Sequence, residues 1–164
     1  MNRKRRSYEA GHRPKFLVVI DDSPECDRAA YFACRRAMRT GASVLMLRVI
    51  DMHDRNQQWL GVADIMQAEA QEEAHAILDR HAKRVKKSTG ATPECVIREG
   101  DKAEQMLALI EEDEDIALLI LAASAGNEGP GPLVSNLAKS AGTFPIPVAI
   151  VPGHLSDEDL DALS

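Results

Sequence analysis

The chain has 164 residues, of which 45% are hydrophobic and 4% aromatic, and its formal net charge is −6 at neutral pH. This length favours one domain with a substantial buried core. The acidic charge and the few aromatic residues argue against a nucleic-acid-binding platform, and no apolar run approaches the roughly 20 residues that span a bilayer. We therefore expect a soluble cytoplasmic protein whose three scattered cysteines are reduced thiols.

The N-terminal segment is basic and lacks a hydrophobic pattern. Residues 1–15 contain six basic residues and one acidic residue, a net charge of +5. Because the whole chain has a net charge of −6, the remaining residues have a net charge of −11. This composition predicts a disordered basic arm over residues 1–14. Binding of the RKRR stretch to a nucleic acid or a membrane surface is the less favoured alternative.

The first apolar run, Phe16–Ile20, predicts a central strand of a parallel sheet. It ends at two acidic residues, Asp21 and Asp22. Ser23 is the expected N-cap of a first helix, because serine is favoured there and a proline follows it. We expect this helix to run to about Arg39, since a glycine lies shortly after it.

The rest of the chain repeats the alternation of strand and helix. The predicted elements are a strand at 43–50, a helix at about 62–87 after a polar connection, a strand at 94–98, a helix at 101–111, a strand at 116–121, a helix at 133–141 and a strand at 148–151. Residues 153–164 read as an acidic tail with at most a short helical turn. We predict an α/β fold: an open, Rossmann-like, five-stranded parallel sheet of strand order 3-2-1-4-5 with helices on both faces.

Two segments would meet at the point where this strand order reverses, which is where such sheets bind ligands. One is the acidic turn at 21–23, and the other is the turn at 122–131. The second turn contains Gly126, Gly129 and Gly131 between a strand and a helix. Glycine lets the backbone approach an anion and a helix N-terminus offers free N–H groups, so the pattern is typical of a phosphate site. A tight turn without a ligand is the alternative.

Several stretches together resemble the universal stress protein family over nearly all of Lys15–Pro152. They are FLVVIDDSPECDRAAYFA, the LRVID ending of the second strand, LILAASAGNEG with its Gly-x-x-Gly, and the closing PVAIVP strand. The resemblance predicts a universal stress protein domain over residues 15–152. It implies that ATP or AMP binds in a groove between the first and fourth strands.

The resemblance also implies roles for individual residues. It places Asp21 near the phosphates or their Mg²⁺, the main chain of Val49 against the adenine, and Gly126 and Gly129 under the phosphates. A carboxylate that faces a glycine-rich turn is, independently, a common way to hold a metal-bound polyphosphate. Ser124 is a candidate donor to a phosphate, although a polar strand end explains it equally well.

The glycine turn departs from the pattern of the family. The family has a longer spacer between its second glycine and a Gly-Ser or Gly-Thr pair, whereas alignment by helix phase puts Gly131 and Pro132 at that pair. This alignment directs four residues inward: Leu133, Leu137, Ala138 and Ala141. Pro130 and Pro132 remove two backbone donors, and Glu128 adds a negative charge. These changes weaken the prediction of a tightly held triphosphate.

The fifth strand, Val148–Val151, is apolar and lies at a sheet edge, which invites pairing with another chain. The family commonly dimerises through this strand, so we expect a homodimer; an edge blunted by Pro145 and Pro147 is the alternative. The leading hypothesis is a regulatory protein of the stress response that binds ATP or AMP, with Mg²⁺ at most bound through the nucleotide. The alternative is an interaction module with a degenerate pocket that acts through a protein partner. No residue stands out as a catalytic base, so we expect at most slow ATP hydrolysis.

Overall fold

The structure, a computed structural model, describes residues 4–51 and 60–164. The described elements are β1 (Lys15–Val19), α1 (Cys26–Thr40), β2 (Ser43–Ile50), α2 (Leu60–Thr89), β3 (Glu94–Glu99), α3 (Lys102–Glu112), β4 (Ile116–Ala123), α4 (Pro132–Ser140), β5 (Val148–Pro152) and α5 (Asp157–Leu163). The predicted succession from β1 to β5 is confirmed, with ends that differ by one or two residues. The C-terminal tail, for which at most a short helical turn is predicted, instead forms the 7-residue helix α5. Most of the predicted polar connection, residues 52–59, lies outside the described residues. No helix in the described part of the chain is long and apolar enough to cross a membrane.

The five strands form one parallel sheet of order β3-β2-β1-β4-β5, as predicted. β1 is central: Leu17 pairs with Leu45 of β2 on one side and with Leu119 of β4 on the other. The switch point therefore lies between β1 and β4, and the turns that follow these two strands lie at the same edge of the sheet.

Alternate residues of β1 face opposite sides of the sheet, and each side has its own core. Phe16 and Val18 pack with buried residues of α1, α2 and α5. Leu17 and Val19 pack with buried residues of α3 and α4. This division explains why β1 is a continuous apolar run, since both of its faces are covered by helices.

The inward face predicted for α4 is partly wrong. Val134 and Leu137 are its buried residues, whereas Ala138 and Ala141 are exposed. The helix passes after Ser140 into a short 3-10 helix, so its last turn no longer follows the α-helical phase from which the prediction was made.

A disordered arm is predicted for residues 1–14, but residues 4–14 are ordered and lie against the amino end of the sheet. Arg5 donates to main-chain oxygens at the end of α3, including that of Asp113 at 3.0 Å. The His12 ring lies 2.6 Å from the Asp115 carboxylate, and Lys15 Nζ lies 2.7 Å from that of Asp113. The basic arm is thus held by the acidic run that follows α3, a pairing of segments about 100 residues apart in sequence.

Candidate functional site

The acidic turn after β1 is organised by Asp21. One of its carboxylate oxygens accepts hydrogen bonds from the backbone N–H of Ser23, at 2.9 Å, and from the Ser23 hydroxyl. Ser23 is therefore not the N-cap of α1. The N-cap is Glu25, whose side chain makes no capping hydrogen bond. The serine hydroxyl has a nearer acceptor in Asp21, which forms the side-chain-to-backbone turn that aspartate favours.

The structure brings Asp21 and Gly131 together around one small cavity, which we call the turn cavity. Ser23 and Glu25 line it from the β1 side, and Pro130 lines it with Gly131 from the glycine turn. Its volume is about 70 Å³. A water molecule needs roughly 10–15 Å³ of such space, and typical small-molecule sites measure about 300–1,000 Å³. The turn cavity therefore has room for a few waters and not for a triphosphate.

Val49 lines a different cavity, which we call the strand-2 cavity. It measures about 260 Å³ and lies beyond the ends of β2 and β3, with Gly100 and Lys102 on its far wall. The Arg48 guanidinium is fixed at its edge, 2.9 Å from the carboxylate of Asp22. Its lining combines the apolar strand end, Val49 and Ile50, with charged residues of both signs: Asp22, Arg48, Asp51, Glu73 and Lys102.

A third and larger cavity lies beside the other two. It measures about 560 Å³ and lies along α2. Asp22 and Glu73 line both this cavity and the strand-2 cavity, and Asp21 and Ser23 line both this cavity and the turn cavity. The three cavities are therefore neighbours along the carboxyl ends of β1 and β2.

The glycine turn is closed by its own hydrogen bonds. The N–H of Ser124 donates to the main-chain oxygen of Pro130 at 3.1 Å, and the Ser124 hydroxyl accepts from the N–H of Gly126 at 3.2 Å. Gly129 and Gly131 have φ of +95° and +103°, a region in which other residues are strained. Two groups predicted to bind phosphate, the Ser124 hydroxyl and the Gly126 amide, thus bind each other.

Ser124 and Gly126 line a fourth cavity on the outer side of the turn. It measures about 320 Å³ and is also lined by Arg28 of α1 and by Gly153 just after β5, and we call it the Arg28 cavity. The structure therefore places the six predicted site residues in separate regions. Asp21 and Gly131 line the turn cavity, Val49 the strand-2 cavity, and Ser124 and Gly126 the Arg28 cavity, while Gly129 shapes the turn.

His81 is a residue of this edge that sequence reasoning left without a role. It is nearly buried, and its Nε2 lies 3.7 Å from the sulfur of Cys26. Burial lowers the pKa of His81 and raises the pKa of Cys26 to about 12. The pair therefore lacks the thiolate that a nucleophile requires. The sequence feature that could have indicated this burial is the position of His81 on the inward face of α2, between the buried residues Leu78 and Val85.

Among residues 4–51 and 60–164, no three His, Cys, Asp or Glu side chains are grouped to hold a metal ion.

An open parallel sheet of this strand order, covered by helices on both faces, defines a doubly wound α/β protein, a class of fold in which ligands bind at the switch point. The chain belongs to the universal stress protein family, whose model matches residues 12–152. No curated protein matches it.

Solved structures share the fold at low sequence identity. Universal stress protein UspA from Lactobacillus plantarum is 20% identical, with a TM-score of 0.68, over 84% of this chain and 97% of that one. A universal stress protein from Archaeoglobus fulgidus in complex with dAMP is 17% identical, with a TM-score of 0.59, over 84% and 96%. A family protein from Arabidopsis thaliana with AMP bound is 17% identical, with a TM-score of 0.57, over 88% and 94%.

Proposed function

We propose that this chain is a regulatory protein of the universal stress type that binds an adenine mononucleotide, AMP in preference to ATP. The observation that carries the proposal is the contrast between the 260 Å³ cavity around Val49 and the 70 Å³ turn cavity around Gly131. The first accommodates a base, and the second has no room for a polyphosphate. The relatives solved with dAMP and with AMP support this class of ligand.

The strand-2 cavity has the chemistry that a nucleobase requires. Val49 and Ile50 form an apolar wall, and Arg48 and Lys102 add donors at its rim. Asp51, at the end of the same segment, adds a carboxylate acceptor. A flat heterocycle with both donors and acceptors at its edge matches such a mixed lining.

The turn cavity has the opposite character. Asp21 and Glu25 are its charged residues, so its lining is acidic. Pro130 and Pro132 at its upper rim have no N–H groups to offer an oxyanion. Repulsion between these carboxylates and a polyphosphate penalises ATP unless Mg²⁺ offsets the charge at Asp21. We therefore assign Asp21 the metal-facing role only for magnesium-bound nucleotides.

Calorimetric titration of the protein with adenosine, AMP and ATP, each with and without Mg²⁺, tests this function. We expect AMP to bind at least as tightly as ATP, and Mg²⁺ to improve the binding of ATP more than that of AMP. Ala70→Leu fills the strand-2 cavity and should abolish binding of adenosine and AMP. Ala76→Leu, on the same helix beside the larger cavity, is the matched control and should keep it. Absence of binding by all three ligands at millimolar concentration would refute the proposal.

A second candidate is an interaction module that binds no nucleotide. The closure of the glycine turn, by the Ser124 to Pro130 hydrogen bond and by the small cavity over Asp21, favours it. The same titrations separate the two functions, because a module of this kind shows no saturable heat with any nucleotide. Its partner would remain bound when Ala70→Leu fills the strand-2 cavity.

We also propose a homodimer formed by antiparallel pairing of the fifth strands, Val148–Val151. β5 pairs with β4 on one side, and no other strand of the described residues covers its second edge. Ile150 on this strand is 48% exposed, which is unusual for a large aliphatic residue in a strand. Light scattering at micromolar concentration should give twice the chain mass. Ile150→Lys should give the monomer, and Ile65→Lys, at an exposed position on α2, should not. A monomeric wild type would refute this assembly.

We place the protein in the cytoplasm because Cys26, Cys34 and Cys95 are all free, as is usual in a reducing compartment. Fractionation of cells that express the tagged full chain tests this placement.

A further inference from the structure

The C-terminal helix α5 lies beyond the region that the family model matches, which ends at residue 152. It docks on α1 through one apolar and two acidic residues. Leu160 is fully buried in the core on that side of the sheet. Asp161 accepts a hydrogen bond from the Tyr31 hydroxyl at 2.7 Å. Asp157 lies 2.6 Å from the guanidinium of Arg28.

Arg28 is held by acceptors from the C-terminal segment, residues 153–164, and from its own helix. One of its terminal nitrogens donates to Asp157 and to Asp27, each at 2.6 Å, and the other donates to the main-chain oxygen of Leu155 at 3.0 Å. The guanidinium also lies over the Tyr31 ring, 5.7 Å from its centre. The side chain is only 13% exposed, so few of its donors remain for a ligand.

The same arginine lines the cavity beside the glycine turn. Among the residues that line the turn cavity and the Arg28 cavity, Arg28 is the one with a basic side chain. Arginine is the side chain best suited to a phosphate, because its planar fork donates two parallel hydrogen bonds. The positive charge that a phosphate would need at this turn is therefore present, but the C-terminal segment neutralises it.

We propose that α5 is a latch that withholds Arg28 from phosphate groups, so that docking of α5 and binding of a phosphate at the glycine turn oppose each other. The proposal rests on the proposed function for the identity of the phosphate, which is that of the bound mononucleotide; the competition for Arg28 applies to any phosphate. A phosphate at Arg28 must replace Asp157, because two anions compete for the same donors. Coupling of this kind is reciprocal: docked α5 lowers phosphate affinity, and bound phosphate loosens α5.

The end of β5 connects the latch to the turn mechanically. The N–H of Gly153 donates to the main-chain oxygen of Ala123 at 2.8 Å, immediately before Ser124 begins the glycine turn. Three residues separate Gly153 from the start of α5. A movement of α5 is therefore transmitted to the strand end from which the turn leaves.

Titrations of the variants Asp157→Asn and Glu158→Gln with AMP and with adenosine test the latch, by comparing their affinities with those of the wild-type protein. The two substitutions remove the same charge from the same turn of α5, but Glu158 is exposed and lies outside the Arg28 contacts. We expect Asp157→Asn to raise the affinity for AMP about 5-fold or more and to leave that for adenosine unchanged. Glu158→Gln should change neither. An unchanged affinity for AMP in Asp157→Asn, or an equal gain for adenosine, overturns the latch.

A second measurement tests the latch in the absence of nucleotide. Hydrogen exchange of the α5 amides is followed in the wild-type protein during addition of inorganic phosphate, with sodium chloride at matched ionic strength as the reference. We expect phosphate to accelerate exchange more than chloride does, and this difference to vanish in Arg28→Gln. Equal effects of phosphate and chloride overturn the latch. If adenosine and AMP fail to bind while phosphate still releases α5, the proposed function fails and the latch stands.

Discussion

Gly153 is the residue at which a single added methyl group should disturb the site most. It follows β5 and touches the ends of two other elements. A Cβ at this position would lie 2.5 Å from the main-chain oxygen of Ala123 and 3.0 Å from Cβ of Glu25. Neither neighbour is the mobile end of a long side chain. In Gly153→Ala the backbone at the junction of β4, β5 and α1 must therefore move.

The expected cost follows from two terms. Overpacking of a closely packed position costs about 1–3 kcal/mol, and the 2.8 Å hydrogen bond from Gly153 to Ala123 contributes about 1 kcal/mol that the movement weakens. The sum is about 2–4 kcal/mol, which for a chain of this size lowers Tm by roughly 5–15 °C.

Thermal and urea unfolding measured by circular dichroism check this value. Gly142→Ala is the matched control, because a Cβ there meets no heavy atom within 4 Å and the residue has no positive φ. We expect the control to stay within about 0.5 kcal/mol of wild type. If Gly153→Ala unfolds like the control, the close approach to Ala123 does not constrain this junction and the reasoning is refuted.

Three further predictions concern other parts of the fold. Asp101→Ala should destabilise the protein by about 1 kcal/mol in urea unfolding, because its carboxylate caps α3 by accepting from the N–H of Glu104 at 3.0 Å. Burial lowers the pKa of His81 below 6.5, so the unfolded chain binds its proton first as the pH falls; wild-type stability should decrease below pH 6.5, and His81→Gln should show a smaller decrease in unfolding experiments from pH 8 to pH 5. Arg6→Gln should lower Tm, and the difference should shrink in 0.5 M NaCl, since the pair of Arg6 with Glu114, at 3.7 Å, is partly exposed and therefore screened; a difference that is independent of salt would exclude the charge pairing.

The sequence was sufficient for the fold because its signals are local and agree with one another. Phe16–Ile20 is apolar throughout, as a strand covered on both faces must be, and the long second helix keeps the helical period from Ala74 to Val85. Once five strands alternate with helices, the handedness of the crossovers limits the possible sheet orders. Several orders satisfy this rule, so handedness alone does not select the observed order.

Two of the failed predictions concern polar groups that had two possible partners. Ser23 can cap a helix or bind Asp21, and the energies of these hydrogen bonds are similar, so neighbouring residues decide between them. The basic arm can remain solvated or bind the acidic run at 111–115, and that choice depends on segments which only the folded sheet brings together. Residue type and spacing do not contain this information.

The same limit applies to the ligand site, where charge as well as cavity size separates the possible ligands. The lining of the strand-2 cavity contains both signs of charge, Arg48 and Lys102 with Asp22, Asp51 and Glu73, whereas the charged residues of the turn cavity, Asp21 and Glu25, are both acidic. Arg28, the basic residue that would reverse the sign at the turn, is paired with acids of α1 and α5. While α5 is docked, the glycine turn limits the space available to a ligand but contributes little electrostatic attraction for its phosphate. Most of the binding energy must then come from the base. Adenosine should therefore bind almost as well as AMP to the latched protein, and the two affinities should separate only when Asp157 releases Arg28.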